Sequence, residues 1–194
     1  MFAEIRKPPR LRALCLMALC AALSAAAASA AAQTNDAGEE QERDWKEVAL
    51  VLPAAPLAEN LLPFYVSPTA TQKFAVDGKS IVVGKDGVVR FTLVAVAAGG
   101  AKNISFEGIR CDVLQRRVYA FGRADGSWAR SRVERWEPIQ ANSRNRQHAE
   151  LASDFLCTGH VNAGTAAQME ERLRRNGALL SSKEHYTTSG YLAD

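Results

Sequence analysis

The sequence predicts an α+β fold, an antiparallel β-meander of about five to six strands packed against C-terminal helices. Three observations predict it. Asp-Gly and Gly-Gly pairs punctuate the chain between Phe74 and Arg123; the segments between them are rich in Val, Ile and Phe; and after Trp136 the apolar spacing changes from two residues to a helical period.

Residues 1–30 carry Arg6, Lys7, Arg10 and Arg12, an apolar run from Leu14 to Leu23 and an alanine-rich end, the layout of a secretory signal peptide. The apolar run is short for a membrane span of about 20 residues, so a cleaved leader is expected, with no transmembrane anchor left behind. Its removal takes four of the 24 Lys+Arg and one of the 21 Asp+Glu, leaving 20 of each. The net charge of +3 therefore belongs to the leader, and the remaining chain lacks the bulk positive charge that argues for nucleic acid. Two of the four cysteines leave as well, so Cys111 and Cys157 meet an oxidising compartment, periplasmic or secreted.

Residues 31–44 are polar and acidic without an apolar period and read as a flexible leader. Residues 45–180 form the predicted domain. Pro53, Pro56, Pro63 and Pro68 exclude a central strand or long helix early in it and predict an extended segment wrapping the core. Asp77-Gly78 and Asp86-Gly87 then predict hairpin turns flanking Ile81–Val83, because both central residues of a type I′ turn need positive φ. In the strand from Val88 to Val96, Val89, Phe91, Leu93 and Ala95 share one face, and Arg90 and Thr92 share the other with Val94 and Val96. Gly99-Gly100 turns the chain into Asn103–Cys111. There Ile104 and Phe106 are out of phase with Ile109 and Cys111, which predicts a one-residue bulge at Glu107-Gly108; the alternative is a strand buried on both faces, Glu107 and Arg110 included. Further strands are expected at Arg117–Arg123 and, after Asp125-Gly126, at Trp128–Val133.

Residues Ser143–Leu156 place Leu151, Ala152, Phe155 and Leu156 at helical spacing, with Cys157 closing the helix and Gly159 as its C′ residue. Thr165 and Gln168 form a capping-box pattern opening a second helix, expected at the periphery and ended by Gly177; residues 181–194 read as a polar tail.

Cys111 and Cys157 read as a structural disulfide, since catalytic dithiols sit close together as Cys-x-x-Cys. Cys157-Thr158-Gly159-His160 invites a metal reading, but with three histidines and no second ligand pair neither a metal nor a cofactor is expected. No Gly-x-Ser-x-Gly and no phosphate-binding glycine loop occurs. Glu107, His148 and Asp125 are the candidates for acid–base work in a small envelope hydrolase. Between Arg110 and Arg146 lie nine arginines and no lysine, against Asp112, Asp125, Glu134 and Glu137. The planar guanidinium fork suits carboxylate and phosphate, so Arg110, Arg117 and Arg123 are candidates for contact with an anionic envelope component or protein partner; a solvated sheet face is the plain alternative.

Val76-Asp77 through Cys111, Tyr119-Ala120-Phe121-Gly122-Arg123, Asp125-Gly126-Ser127-Trp128, Trp136-x-Pro-Ile139, Asn145-x-x-His148 and Phe155-Leu156-Cys157 together resemble the CNP-like bacterial envelope domains of beta-proteobacterial secreted proteins. Thr158 departs from the pattern, where proline follows the cysteine. The resemblance spans roughly Trp45 to Gly177 and implies a periplasmic or envelope-associated domain without an established activity. Two functions stand as expectations: a non-enzymatic binding or structural module, and the small hydrolase. They differ in whether Glu107 and His148 converge in an open pocket.

Overall fold

The computed structural model describes residues 45–142 and 145–184, with side chains described as far as Asn176. The predicted signal peptide (residues 1–30), the acidic leader (31–44) and residues 185–194 of the predicted tail lie outside the described residues. The fold is α+β. Its centre is an antiparallel meander in the order β1 (Leu61–Phe64), β2 (Gln72–Val83), β3 (Val88–Ala97), β4 (Lys102–Arg110), β5 (Gln115–Gly122) and β6 (Trp128–Arg130). A two-residue strand, β7 (Glu137–Pro138), pairs with the start of β5. Pro63 is tolerated because β1 is an edge strand, where a missing amide hydrogen costs no ladder bond. The prolines therefore permit a short edge strand within the segment expected only to wrap the core.

Asp77-Gly78 is not a hairpin turn. β2 runs through it with a register shift between Asp77 and Val82. Ser80 Oγ donates to the Asp77 carbonyl (2.7 Å) and accepts from the Thr92 amide (2.7 Å), so a side chain replaces the ladder across the irregularity. Glycine is needed at 78 for space: a Cβ there would approach Leu62 Cδ1 to 2.8 Å and Glu170 Cγ to 3.0 Å. The turn at Asp86-Gly87 does form, with Gly87 at φ 78°.

The stretch from Asn103 to Cys111 also differs from the expected bulge. β4 keeps an unbroken register against β3, and the discontinuity falls between Phe106 and Glu107 in its pairing with β5: Phe106 faces Ala120 while Glu107 faces Val118. The extra residue is Tyr119, on the partner strand. β4 therefore keeps strict alternation and is buried on both faces, with Glu107 3% and Arg110 2% exposed. Ile109 and Cys111 face one core with Val89, Phe91 and Leu93, and Phe106 faces a second with Tyr119 and Ala120.

Helices cover the first face. α1 (Arg146–Glu150) continues into a π-helical segment, Leu151–Leu156, whose last bond runs from the Cys157 amide to the Ala152 carbonyl. The wider π turn keeps Leu151 and Phe155, and Ala152 and Leu156, together on the buried side. It delivers Cys157 to Cys111, with which it forms a disulfide (Cα–Cα 5.6 Å). Gly159 is not a helix C′ residue; at φ 59° it turns the small hairpin between β8 (Cys157–Thr158) and β9 (Val161–Asn162). The second helix, α2 (Ala166–Glu184), opens with the predicted capping box: the Thr165 amide donates to Gln168 Oε1 (2.8 Å) and the Gln168 amide to Thr165 Oγ1 (3.3 Å). It is not peripheral, since Met169 and Leu173 are fully buried, and it continues past Gly177. It packs on the β1–β2 end of the sheet.

Candidate functional site

Three polar constellations arise from this frame. The first lies under α1. Glu107 is directed into the helix-covered core by β4's alternation, and His148 meets it from α1, with Nε2 2.7 Å from Glu107 Oε2. Ser105, two residues along the same strand face, donates its hydroxyl to Glu107 Oε1 at 2.5 Å. Burial pushes the Glu107 carboxyl up, but the charge and hydrogen bond of His148, the Ser105 hydroxyl and the charge of Arg116 outweigh it and hold the carboxyl below its ordinary value of 4.5. His148 is 3% exposed, and its Nδ1 is buried without a hydrogen-bond partner. Ser105 and His148 bond the two different oxygens of the carboxylate, so this order of groups does not activate the hydroxyl as a Ser–His nucleophile–base pair would. The group ties α1 to β4 within the core.

A pH dependence follows from that sign. A depressed folded-state pKa contributes stability above the ordinary carboxylate range, lost as pH falls through the lowered value. Stability is therefore expected to drop below about pH 4.5, with Glu107→Gln flattening the slope; urea midpoints measured by circular dichroism between pH 7 and pH 3 check this.

The second constellation is on the opposite face. The carboxylate of Glu47 accepts from Arg90 (3.2 Å), Arg117 (2.7 Å) and the Tyr119 hydroxyl. Arg90 also holds Asp86 at 2.6 Å. Burial pushes the Asp86 carboxyl up, but Arg90 and the amides of Val48 and Val88 lower it overall, whereas burial and Glu47 both push the Tyr119 hydroxyl up. Here the side chain of Tyr119, the extra residue of β5, tilts against Phe106 and lies edge-on to Trp136. It also closes over Gly108, where a Cβ would come within 2.6 Å of the hydroxyl oxygen. Gly108 is thus required by close packing and not by a bulge.

The third is open. β6 pairs with the end of β5 and β7 with its start, leaving a cleft of about 420 Å³ along the β5 edge between them. Arg116, Arg117, Arg130, Arg132 and Arg135 line it, with Glu137 as its one lining carboxylate. Glu137 holds Arg116 (3.0 Å) and Arg135 (3.1 Å), and Arg117 is held by Glu47. Among the described residues Arg130 and Arg132 make no ion pair, and both are exposed. Val118, Phe121 and Val133 supply the apolar lining, with Phe121 41% and Val133 47% exposed.

The chain's match to known proteins coincides with this frame. Residues 40–174 match the model of the CNP1-like family, covering every strand and the buried part of α2. The chain belongs to that family. No curated protein and no solved structure matches it.

In this CNP1-like domain the sequence-derived candidates scatter. Glu107 and His148 meet, as an envelope hydrolase would need, but sealed in the core. Asp125 is fully exposed in a turn, where the hydroxyl and amide of Ser127 lower its pKa. Arg110 is buried against Trp136 and bound to Asp112 at 2.7 Å, because its strand position faces inward. Arg123 is exposed and reaches Ser127 Oγ at 3.5 Å. Of the three arginines proposed from sequence, Arg117 alone lines the cleft. Arg116, Arg130, Arg132 and Arg135 stood in the same arginine-rich run, but only the gap between β6 and β7 gathers them. Among the described residues no three His, Cys, Asp or Glu side chains are grouped to hold a metal ion, and no helix is long and apolar enough to cross a membrane.

Proposed function

We propose that this CNP1-like domain is an exported, periplasmic or envelope-associated binding module that holds an anionic partner in the arginine cleft. The observation that carries the reading is the pair Arg130 and Arg132, which make no ion pair among the described residues and are set in a concavity. A groove lined by one sign of charge focuses its field and raises the local concentration of counter-ions, and guanidinium forks bind carboxylate or phosphate in two-point fashion. The signal-like leader and the Cys111–Cys157 bridge support the compartment.

Binding is favoured over hydrolysis by exposure. A general acid or base must come within reach of its substrate, and Glu107 and His148 are each 3% exposed, while Asp125 is fully exposed on a turn outside their hydrogen-bonded cluster. Titration with inorganic phosphate at low ionic strength, followed by calorimetry, tests the reading. Saturable binding is expected, weakened at least about tenfold (about 1.4 kcal/mol) in the Arg130→Glu, Arg132→Glu double variant with its melting temperature unchanged. Equal binding by both proteins contradicts it.

A further inference from the structure

We infer that the cleft selects an anionic amphiphile: a monomeric molecule carrying one carboxylate or phosphate group on a short aliphatic or aromatic body. This rests on the binding reading above and adds the class of ligand. A site built for a bare anion is small and polar throughout. This one has a volume of about 420 Å³, within the range of roughly 300–1,000 Å³ that houses whole small molecules. Its two arginines without an ion pair and most of its apolar surface come from different strands. Arg130 and Arg132 stand on β6 and the segment after it, while Val118 and Phe121 project from β5 and Val133 faces them.

Phe121 is the informative residue. It sits on the same sheet face as Ser105, with which it is paired, yet the helix-covered core that begins at Ile109 and Cys111 does not extend to it. A phenylalanine left 41% exposed inside a cleft rimmed by guanidinium groups offers an apolar body a place to lie while its acid group reaches Arg130 and Arg132. The neighbouring arginines reinforce that division. Arg116 and Arg135 are held by Glu137, and Arg117 by Glu47, so they fix the walls while Arg130 and Arg132, without an ion pair among the described residues, receive the acid.

The experiment compares inorganic phosphate, phenyl phosphate, octyl phosphate below its micelle concentration and phosphatidylglycerol vesicles, by calorimetry on the whole exported protein. The wild type is set beside F121S and the R130Q/R132Q double variant. Phenyl and octyl phosphate are expected to bind at least tenfold tighter than inorganic phosphate. F121S should reduce that advantage below threefold without changing phosphate affinity, and R130Q/R132Q should weaken all three. Because these residues are exposed, unchanged melting temperatures are expected and serve as the folding control. Equal affinity for phosphate and its organic esters overturns the ligand class while leaving anion binding standing. Loss of every anion, or indifference to R130Q/R132Q, removes both readings. Vesicle binding without binding of the monomeric esters overturns the inference in favour of a membrane surface.

Discussion

Replacing Cys111 and Cys157 together by serine is expected to lower the unfolding free energy by about 2–5 kcal/mol, a large share of the roughly 5–15 kcal/mol of net stability usual for a domain. The bridge spans a sequence separation of 46 residues. The chain-entropy estimate for a loop of that length is about 4 kcal/mol. Its position adds a local reason. Cys111 follows β4, which is buried on both faces, and Cys157 ends the π-helical segment that covers one of them. Without the bridge the segment Leu151–Leu156 is held to the sheet by packing and, through α1, by the His148–Glu107 contact. Urea unfolding of the oxidised wild type and the double serine variant measures the difference; a loss below about 1 kcal/mol would show the bridge to be incidental to stability.

The second large effect is expected at Glu107. Glu107→Ala strands the His148 ring in the core with both nitrogens unpartnered, since Nδ1 already lacks a partner. Breaking one side of a buried ion pair costs about 3–5 kcal/mol. The pair as a whole is a different matter. Replacing both partners by apolar residues of similar size, Glu107→Met with His148→Leu, is expected to recover most of that loss, because the desolvation cost of both groups disappears with them. A double-mutant cycle in urea separates the terms. If Glu107 and His148 were instead catalytic, Glu107→Gln would abolish a hydrolytic activity with little change in stability, and the cycle would show weak coupling.

The meander was legible in the sequence because its turns are written in local chemistry. Gly87, Gly100 and Gly126 all adopt positive φ at the predicted turns. The disulfide and the capping box at Thr165 were legible for the same reason, each depending on few residues. What escaped were choices settled by tertiary contact. Asp77-Gly78 has turn chemistry, yet the space beneath it is filled by Leu62 and Glu170, and a side-chain bond through Ser80 carries the strand across. The phase change in β4 was read as a bulge in that strand, because a sequence cannot announce that a carboxylate such as Glu107 will find a histidine 41 positions away. Arg110 was assigned to a surface by its charge, while its alternation placed it inward.

The candidate site was half visible. The arginine run from Arg110 to Arg146 made an anionic partner one expectation beside a solvated sheet face, without saying which members gather. Pairing decides that: β6 and β7 hold opposite ends of β5, and Arg130 of β6 lines the cleft with Arg132 and Arg135 of the segment between them. No spacing rule connects those positions to Phe121.

The most direct test of the central claim, that the β5-edge cleft is the binding site and the buried Glu107–His148 pair is structural, is a titration of the isotopically labelled protein with phenyl phosphate, followed by amide and arginine Nε–H correlation spectra. Saturable shifts are expected, confined to Arg116–Phe121 and Arg130–Glu137 and largest at the Nε–H groups of Arg130 and Arg132. Shifts centred on Glu107 and His148, or no saturable shift along the β5 edge, would contradict it.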